Sequence, residues 1–147
     1  MNSIQLPHPV TEFMPHRPPM LLVATLLERG REAVVEATVP AKGIWLDENS
    51  RVLPEYYIEL VAQAMAAVNG YDARQAGKEP EGGMLVGVDQ FSLRALPDPG
   101  RTVWIDVAKT FEFGAVKIVN GSVRDAGGKL AEVKLKIWSG DLPGGNP

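Results

Sequence analysis

A single carboxylate inside an apolar segment is the residue of this sequence best placed to do chemistry. Glu59 lies among apolar neighbours, including Ile58 and Leu60, in a segment whose pattern predicts a buried helix. An ionised, unpaired carboxylate there costs several kcal/mol, and perturbed groups of this kind tend to mark functional sites. The functional interpretation is that Glu59 donates or accepts a proton. The structural alternative is that it pairs with an arginine or with the positive end of the helix.

Gln63 follows Glu59 by one helical turn, so both side chains lie on one face of the predicted helix. The Gln63 amide can hydrogen-bond to the carboxyl group and fix its rotamer. The alternative is that Gln63 only satisfies a neighbouring backbone group. The spacing favours a polar pair that faces a cavity.

His16 and Arg17 lie in a proline-rich segment near the N-terminus. Prolines at positions 15, 18 and 19 restrict the backbone there, so both side chains are held in place. A fixed histidine can orient a ligand or act as a base near neutral pH. Alternatively, His16 bonds to its own loop and locks it against the sheet. Arg17 can contact a substrate, cover apolar surface or close a salt bridge.

Motifs for other kinds of chemistry are missing from the sequence. Gly82 and Gly83 precede a predicted strand, where they let backbone N–H groups approach a ligand or simply permit a turn. The sequence has no dinucleotide-binding glycine motif, Walker motif or serine nucleophile elbow. It contains no cysteine and two histidines, which excludes thiolate chemistry and a histidine-rich metal centre. We therefore expect neither a metal nor a cofactor.

The composition indicates one globular domain. The 147 residues are 45% hydrophobic and 22% charged, which is typical of a folded chain of this length. The net charge of −3 argues against nucleic-acid binding, which needs a basic surplus. No apolar run approaches the ~20 residues that span a bilayer, and the first residues do not resemble a secretory signal. A cytoplasmic protein is the expectation.

Apolar patterns predict one long helix and six strands. The first 20 residues are rich in proline and are expected to be irregular, with at most one helical turn at 10–14. The helix is predicted from Glu55 to about Tyr71, buried around nearly its whole circumference, with Gly70 as its terminator. The predicted strands are 20–27, 33–39, 83–93, 102–113, 115–124 and 129–138.

One apolar helix needs a sheet to cover it. The order of two strands, a helix and four strands predicts an α+β domain over residues 1–138. In this domain a curled antiparallel sheet of about six strands surrounds one central helix, which is the architecture of the hotdog fold. An open sheet edge must be covered or paired, so we expect a dimer joined edge to edge. Residues 139–147 are expected to form a flexible tail.

Two segments together resemble a known enzyme family. They are Pro15–Leu22, which reads Pro-His-Arg-Pro-Pro-Met-Leu-Leu, and Ile58–Ala67, which carries Glu59 and Gln63. In these segments, and in element order over about residues 12–138, the chain resembles bacterial 3-hydroxyacyl-(acyl-carrier-protein) dehydratases. It is more similar to the branch associated with lipid and aryl-polyene biosynthesis. The resemblance implies a dehydratase, or a related isomerase, of 3-hydroxyacyl thioesters, with Glu59 as the acid and Gln63 holding it.

The sequence departs from this family in one important place. The family pairs the helix glutamate with a histidine in a His-Phe-Pro-Gly loop before the helix, whereas residues 43–54 here contain no histidine. His16 can supply the base instead, within one chain or across a dimer interface. Alternatively, Glu59 works alone, as in hotdog thioesterases that hydrolyse acyl thioesters. The third interpretation is a non-catalytic acyl-binding protein or partner subunit of a dehydratase complex.

The resemblance also implies substrate contacts and partners. The predicted substrate-binding residues are Arg17, Trp45, Tyr57, Gln63, Met65 and Gly83. The acyl chain would lie in a tunnel beside the helix, with the thioester carbonyl near backbone N–H groups of the helix start and of Gly83. The thioester would be carried by acyl carrier protein or coenzyme A, and an acidic carrier protein requires a basic patch. Candidates for this patch are Arg17, Arg51, Arg94 and Arg101. The expected assembly is a homodimer, a higher homo-oligomer or a complex with a hetero-partner subunit.

Overall fold

The computed structural model of the protein describes residues 3–80 and 82–139, which build one antiparallel sheet and one long helix. The elements in chain order are β1 (His8–Pro9), β2 (Thr25–Arg29), β3 (Ala33–Thr38), α1 (Tyr56–Gln75), β4 (Gly83–Leu93), β5 (Thr102–Phe113), β6 (Val116–Asp125) and β7 (Gly128–Ser139). A short 3-10 turn, Val10–Glu12, follows β1. The strand order in the sheet is β1-β2-β3-β5-β6-β7-β4, and neighbouring strands are antiparallel.

The sheet curls around α1 because alternate residues of its strands are apolar. In β7, Val133, Leu135 and Ile137 are buried, while the intervening residues point to the other face. The predicted architecture of a curled antiparallel sheet around one helix is thereby confirmed. The prediction of about six strands missed β1, a two-residue strand that pairs with β2. Ser139 is the last residue of β7, and residues 140–147 of the predicted tail lie outside the described residues.

The first predicted strand begins later than expected. The apolar pattern predicted a strand from residue 20, but β2 starts at Thr25. The reason is that the backbone of Met20 and Leu22 bonds to the side chain of Gln63 on α1. These residues therefore attach the N-terminal segment to the helix before the chain enters the sheet.

The helix continues through Gly70, so the prediction that it ends there is wrong. It ends at Gln75, and Gly77, with a φ of +67°, supplies the left-handed residue that follows many helices. Gly70 instead permits close packing, because a Cβ at this position would lie 1.8 Å from the carbonyl oxygen of Phe13. The N-terminal segment thus runs directly against the helix backbone.

The sheet of one chain does not cover the whole helix. Ile58, Ala62 and Ala66 recur at every fourth position and are only half-buried, so they form an uncovered stripe along α1. The prediction of burial around nearly the whole circumference is wrong for this stripe. No helix within residues 3–80 and 82–139 has both the length and the apolar character needed to cross a membrane.

Replacing Gly70 by alanine is expected to destabilise the protein, although alanine normally stabilises a helix interior by about 1 kcal/mol relative to glycine. The added Cβ overlaps the Phe13 carbonyl and must displace the N-terminal segment. We expect the free energy of unfolding, measured by urea denaturation, to fall by about 1–3 kcal/mol. Gly87→Ala is the matched control, because a Cβ there meets nothing within 4 Å. A Gly70→Ala protein as stable as wild type would contradict this packing.

Candidate active site

The expected polar pair forms near the start of α1. Gln63 donates through Nε2 to the carboxylate Oε1 of Glu59 at 2.9 Å. Gln63 is 2% exposed. Glu59 is half-buried rather than buried as predicted, because it borders the uncovered stripe of the helix. A buried amide thus orients a carboxylate that stays partly accessible.

Gln63 also binds the backbone of the segment that precedes β2. Its Nε2 donates to the carbonyl oxygen of Met20 at 2.8 Å, and its Oε1 accepts from the N–H of Leu22 at 2.7 Å. The amide therefore uses its donor group twice and its acceptor once. The sequence left two alternative roles for Gln63, which were to orient Glu59 or to satisfy a backbone group. The structure shows that Gln63 does both.

Arg17 braces the proline-rich segment. Its guanidinium group donates to the carbonyl oxygens of Thr11, Met14 and His16 at 3.1, 2.9 and 2.7 Å. Three bonds to its own segment favour a structural role for this side chain. Contact between Arg17 and a substrate stays a prediction.

His16 is half-buried in the same segment, and its Nδ1 atom is buried without a partner among the described residues. The locking of the loop that one interpretation gave to His16 is thus carried out by Arg17. Within residues 3–80 and 82–139, no hydrogen bond joins His16 to Glu59. The two side chains are connected indirectly, because Gln63 ties the segment after His16 to the helix that carries Glu59.

The loop before α1 contains Trp45, another predicted substrate contact. The Asp47 carboxylate holds this loop by accepting hydrogen bonds from the backbone N–H groups of Arg51 and Asn49. The bond from Arg51 is the main reason why the pKa of Asp47 is lowered. The indole of Trp45 packs against the ring of Tyr56, with centroids 6.0 Å apart. Its Nε1 is buried and has no partner in the part of the chain that the structure describes.

Two adjacent tyrosines at the start of α1 differ in their hydroxyl partners. Tyr57, a predicted substrate contact, donates its hydroxyl to the carbonyl oxygen of Ala95 at 2.7 Å. Tyr56 is fully buried, and its hydroxyl has no partner among the described residues. Burial raises the pKa of both phenols, so both stay protonated at neutral pH. The sequence pattern does not single out Tyr56, because only tertiary contacts distinguish the two tyrosines.

The remaining predicted substrate contacts are the backbone N–H groups at the start of α1, Met65 and Gly83. The N–H groups of Tyr56 and Tyr57 donate to carbonyl oxygens of the preceding turn, so the expectation that the helix start offers free N–H donors is wrong. Met65 is buried in the middle of α1. Gly83 is the first residue of β4, where it pairs with the end of β7. The roles of Met65 and Gly83 in substrate binding stay predictions.

A cavity of about 520 Å³ lies on the face of the sheet away from the helix, lined by residues that include Asp106, Asn120 and Lys134. Glu59 does not line it, so the acyl tunnel beside the helix stays a prediction. Among residues 3–80 and 82–139, no three His, Asp or Glu side chains are grouped so that they could hold a metal ion.

The curled sheet and the central helix that carries the oriented carboxylate define a protein of the hotdog class. A family model described as ApeP-like, ApeP dehydratase, matches residues 8–143. The chain belongs to this ApeP-like dehydratase family. The match confirms the family resemblance seen in the two sequence segments. No curated protein matches the chain significantly.

Solved structures show the same fold. A chain of the dehydratase heterocomplex ApeI:P from Xenorhabdus doucetiae has a TM-score of 0.80 and 19% identity, over 91% of this chain and 92% of that one. The protein smu.793 from Streptococcus mutans, bound to acetyl CoA, has a TM-score of 0.59 and 14% identity, over 76% and 83%. A hypothetical thioesterase with coenzyme A from Streptococcus pneumoniae has a TM-score of 0.59 and 11% identity, over 76% and 80%.

Replacing Gln63 by leucine is expected to lower the free energy of unfolding by about 2–4 kcal/mol. The change leaves the N–H of Leu22 and the carbonyl of Met20 without their buried partner. Chemical denaturation measures the loss. Gln90→Leu is the control, since Gln90 is exposed and its side chain makes no hydrogen bond among the described residues. Equal stability of the two variants would show that Gln63 does not hold the segment to the helix.

Proposed function

We propose that this protein is a dehydratase of 3-hydroxyacyl thioesters in which Glu59 is the acid. The observation that carries the proposal is the hydrogen bond from buried Gln63, which orients a carboxyl group on the partly accessible side of the central helix. Membership of a dehydratase family supports the reaction class. The thioester is carried by acyl carrier protein or by coenzyme A. Binding of acetyl CoA and of coenzyme A by two proteins of the same fold is consistent with a thioester ligand.

Dehydration requires one group of the enzyme that acts as a base and another that acts as an acid. The base removes a proton from the carbon next to the thioester carbonyl, and the electron pair forms a double bond as the C–O bond breaks. Protonated Glu59 gives its proton to the departing hydroxyl, so the products are water and a 2-enoyl thioester. The bond from Gln63 keeps the carboxyl group in one orientation for this transfer.

His16 is the candidate base within this chain. Its Nδ1 has no partner among the described residues, so no hydrogen bond within them commits this nitrogen to holding the loop. The three bonds of Arg17 hold the segment, which fixes the backbone of His16 without involving its ring. For an acidic carrier protein, the four arginines of the predicted basic patch are all exposed; they are Arg17, Arg51, Arg94 and Arg101.

Glu59→Gln removes the proton donor but keeps the side-chain volume, so we expect a folded protein whose dehydration rate falls at least about a hundredfold. The assay follows enoyl absorbance with a 3-hydroxyacyl pantetheine thioester as substrate. Glu55→Gln is the control, because Glu55 is an exposed carboxylate just before the helix. Full activity of Glu59→Gln would refute its role as the acid, and His16→Ala tests the base in the same assay.

The products distinguish the remaining functions. Free thiol without enoyl absorbance would indicate a hydrolase that uses Glu59, as in the thioesterase interpretation. If the wild-type protein alone formed neither the enoyl product nor free thiol, this result would favour a role as a partner subunit.

The exposed edge of the sheet favours this second candidate, a subunit of a dehydratase complex. Among the described strands, β4 pairs only with β7, and five of its apolar side chains are 39–48% exposed: Met84, Leu85, Val86, Val88 and Leu93. A long apolar edge strand invites pairing with another chain. Similarity of the fold to a chain of a dehydratase heterocomplex supports a hotdog partner at this edge. Such a partner would bring the histidine that residues 43–54 lack, whereas a second copy would form a homodimer.

Val86→Lys places a charge in β4 and is expected to convert the assembled protein to a folded monomer. Size-exclusion chromatography with light scattering gives the mass, and circular dichroism checks the fold. Phe113→Lys is the control, because Phe113 is 76% exposed but lies at the end of β5. Pairing through β4 would be excluded if Val86→Lys kept the mass of the wild-type protein. It would also be excluded if the wild-type protein were a monomer both when purified alone and when mixed with a dehydratase subunit.

A further inference from the structure

Two neighbouring side chains beside the start of α1 have buried hydrogen-bond donors without an acceptor. Tyr56 is 0% exposed, and its hydroxyl has no partner among the described residues. Trp45 is half-buried, yet its indole N–H is buried and is likewise unpartnered within the described chain. The two rings pack edge to face, with centroids 6.0 Å apart and an interplanar angle of 66°. Both polar groups are therefore turned away from solvent.

A hydrogen-bond acceptor is the kind of partner that would satisfy both of these groups. Buried tyrosine and tryptophan normally have a hydrogen-bond partner, and phenylalanine would fill the place of Tyr56 without an unsatisfied hydroxyl. An indole N–H can only donate. Burial raises the pKa of Tyr56, so its hydroxyl keeps its proton and can donate as well. One carbonyl oxygen, with its two lone pairs, can accept from both groups.

Other donors near the start of the helix are already in use. The hydroxyl of Tyr57 donates to Ala95, and the first N–H groups of α1 donate to the preceding turn. Tyr56 precedes Glu59 by three residues, so the two side chains occupy neighbouring positions on the helix surface. Trp45 is half-buried as a residue whereas Tyr56 is fully buried, so Trp45 is the one of the two that lies closer to solvent.

We propose that the Tyr56 hydroxyl and the Trp45 indole N–H bind the thioester carbonyl oxygen of the substrate. This inference rests on the proposed dehydratase function. When the base removes the proton next to the carbonyl, the electron pair of that C–H bond moves to the carbonyl oxygen as an enolate, which the two donors stabilise. The pair then forms the carbon–carbon double bond as the hydroxyl leaves with the proton of Glu59.

Tyr56→Phe tests the proposal because it removes one donor but no hydrogen bond that the hydroxyl makes to a described residue. We expect its midpoint of thermal unfolding to equal or exceed that of the wild type, and its kcat for a 3-hydroxyacyl pantetheine thioester to fall about a hundredfold. Tyr71→Phe is the matched control, because Tyr71 lies four turns further along α1 and accepts a bond from Gln75. A Tyr56→Phe protein as active as Tyr71→Phe would overturn the proposal.

A spectroscopic measurement separates this site from the proposed reaction. The probe is butyryl-pantetheine with ¹³C at its carbonyl, a thioester that has no hydroxyl to lose. Bound to the full-length wild-type protein or to Tyr71→Phe, its infrared carbonyl band should move to lower frequency, and Tyr56→Phe should lose most of this shift. A shifted band with this probe, together with no turnover of a 3-hydroxyacyl pantetheine thioester, would support the carbonyl site and refute dehydration by this chain alone.

Two outcomes of this measurement would overturn the site: no band shift in the wild-type protein, or an equal shift in Tyr56→Phe. A thermal midpoint of Tyr56→Phe below that of the wild type would also overturn it, because the Tyr56 hydroxyl would then already have a partner such as an internal water.

Discussion

The buried amide of Gln63 is the interaction on which the rest of the site depends. It joins the helix to the backbone at Met20 and Leu22, and on the helix itself it bonds to the carboxyl group of Glu59. Because the Gln63 amide is almost fully buried, its hydrogen bonds are costly to lose. The orientation of the candidate acid and the path of the N-terminal segment are therefore set by the same side chain.

The polar groups around this amide divide into those used by the fold and those left available. Arg17 and the Tyr57 hydroxyl bond to backbone carbonyl oxygens, and they hold the proline-rich segment and the loop after β4. In contrast, the described residues offer no partner to polar atoms of His16, Trp45 and Tyr56. These three side chains are the ones to which the proposals assign the base and the two carbonyl donors.

One chain covers only part of its own helix, and this incompleteness explains several features. The uncovered stripe leaves Glu59 partly accessible, and the apolar edge of β4 is unpaired among the described strands. Hydrophobic burial is the main stabilising term in folding, so exposed apolar surface of this extent favours association. A partner at this edge would complete the sheet. Glu59 is accordingly half-buried, whereas the sequence pattern predicted a buried carboxylate.

The sequence alone determined the α+β class, the strands β4 to β7, the long helix and the pairing of Glu59 with Gln63, because residue periodicity within each element is local information. Tertiary structure alone decided that Gly70 lies inside the helix against another backbone, and that β2 starts only at Thr25. It also distinguished Tyr56 from its neighbour, since a hydrogen-bond partner such as a carbonyl oxygen 38 residues away cannot be read from local spacing. Contacts between distant segments settle these positions, and no pattern within one segment encodes them.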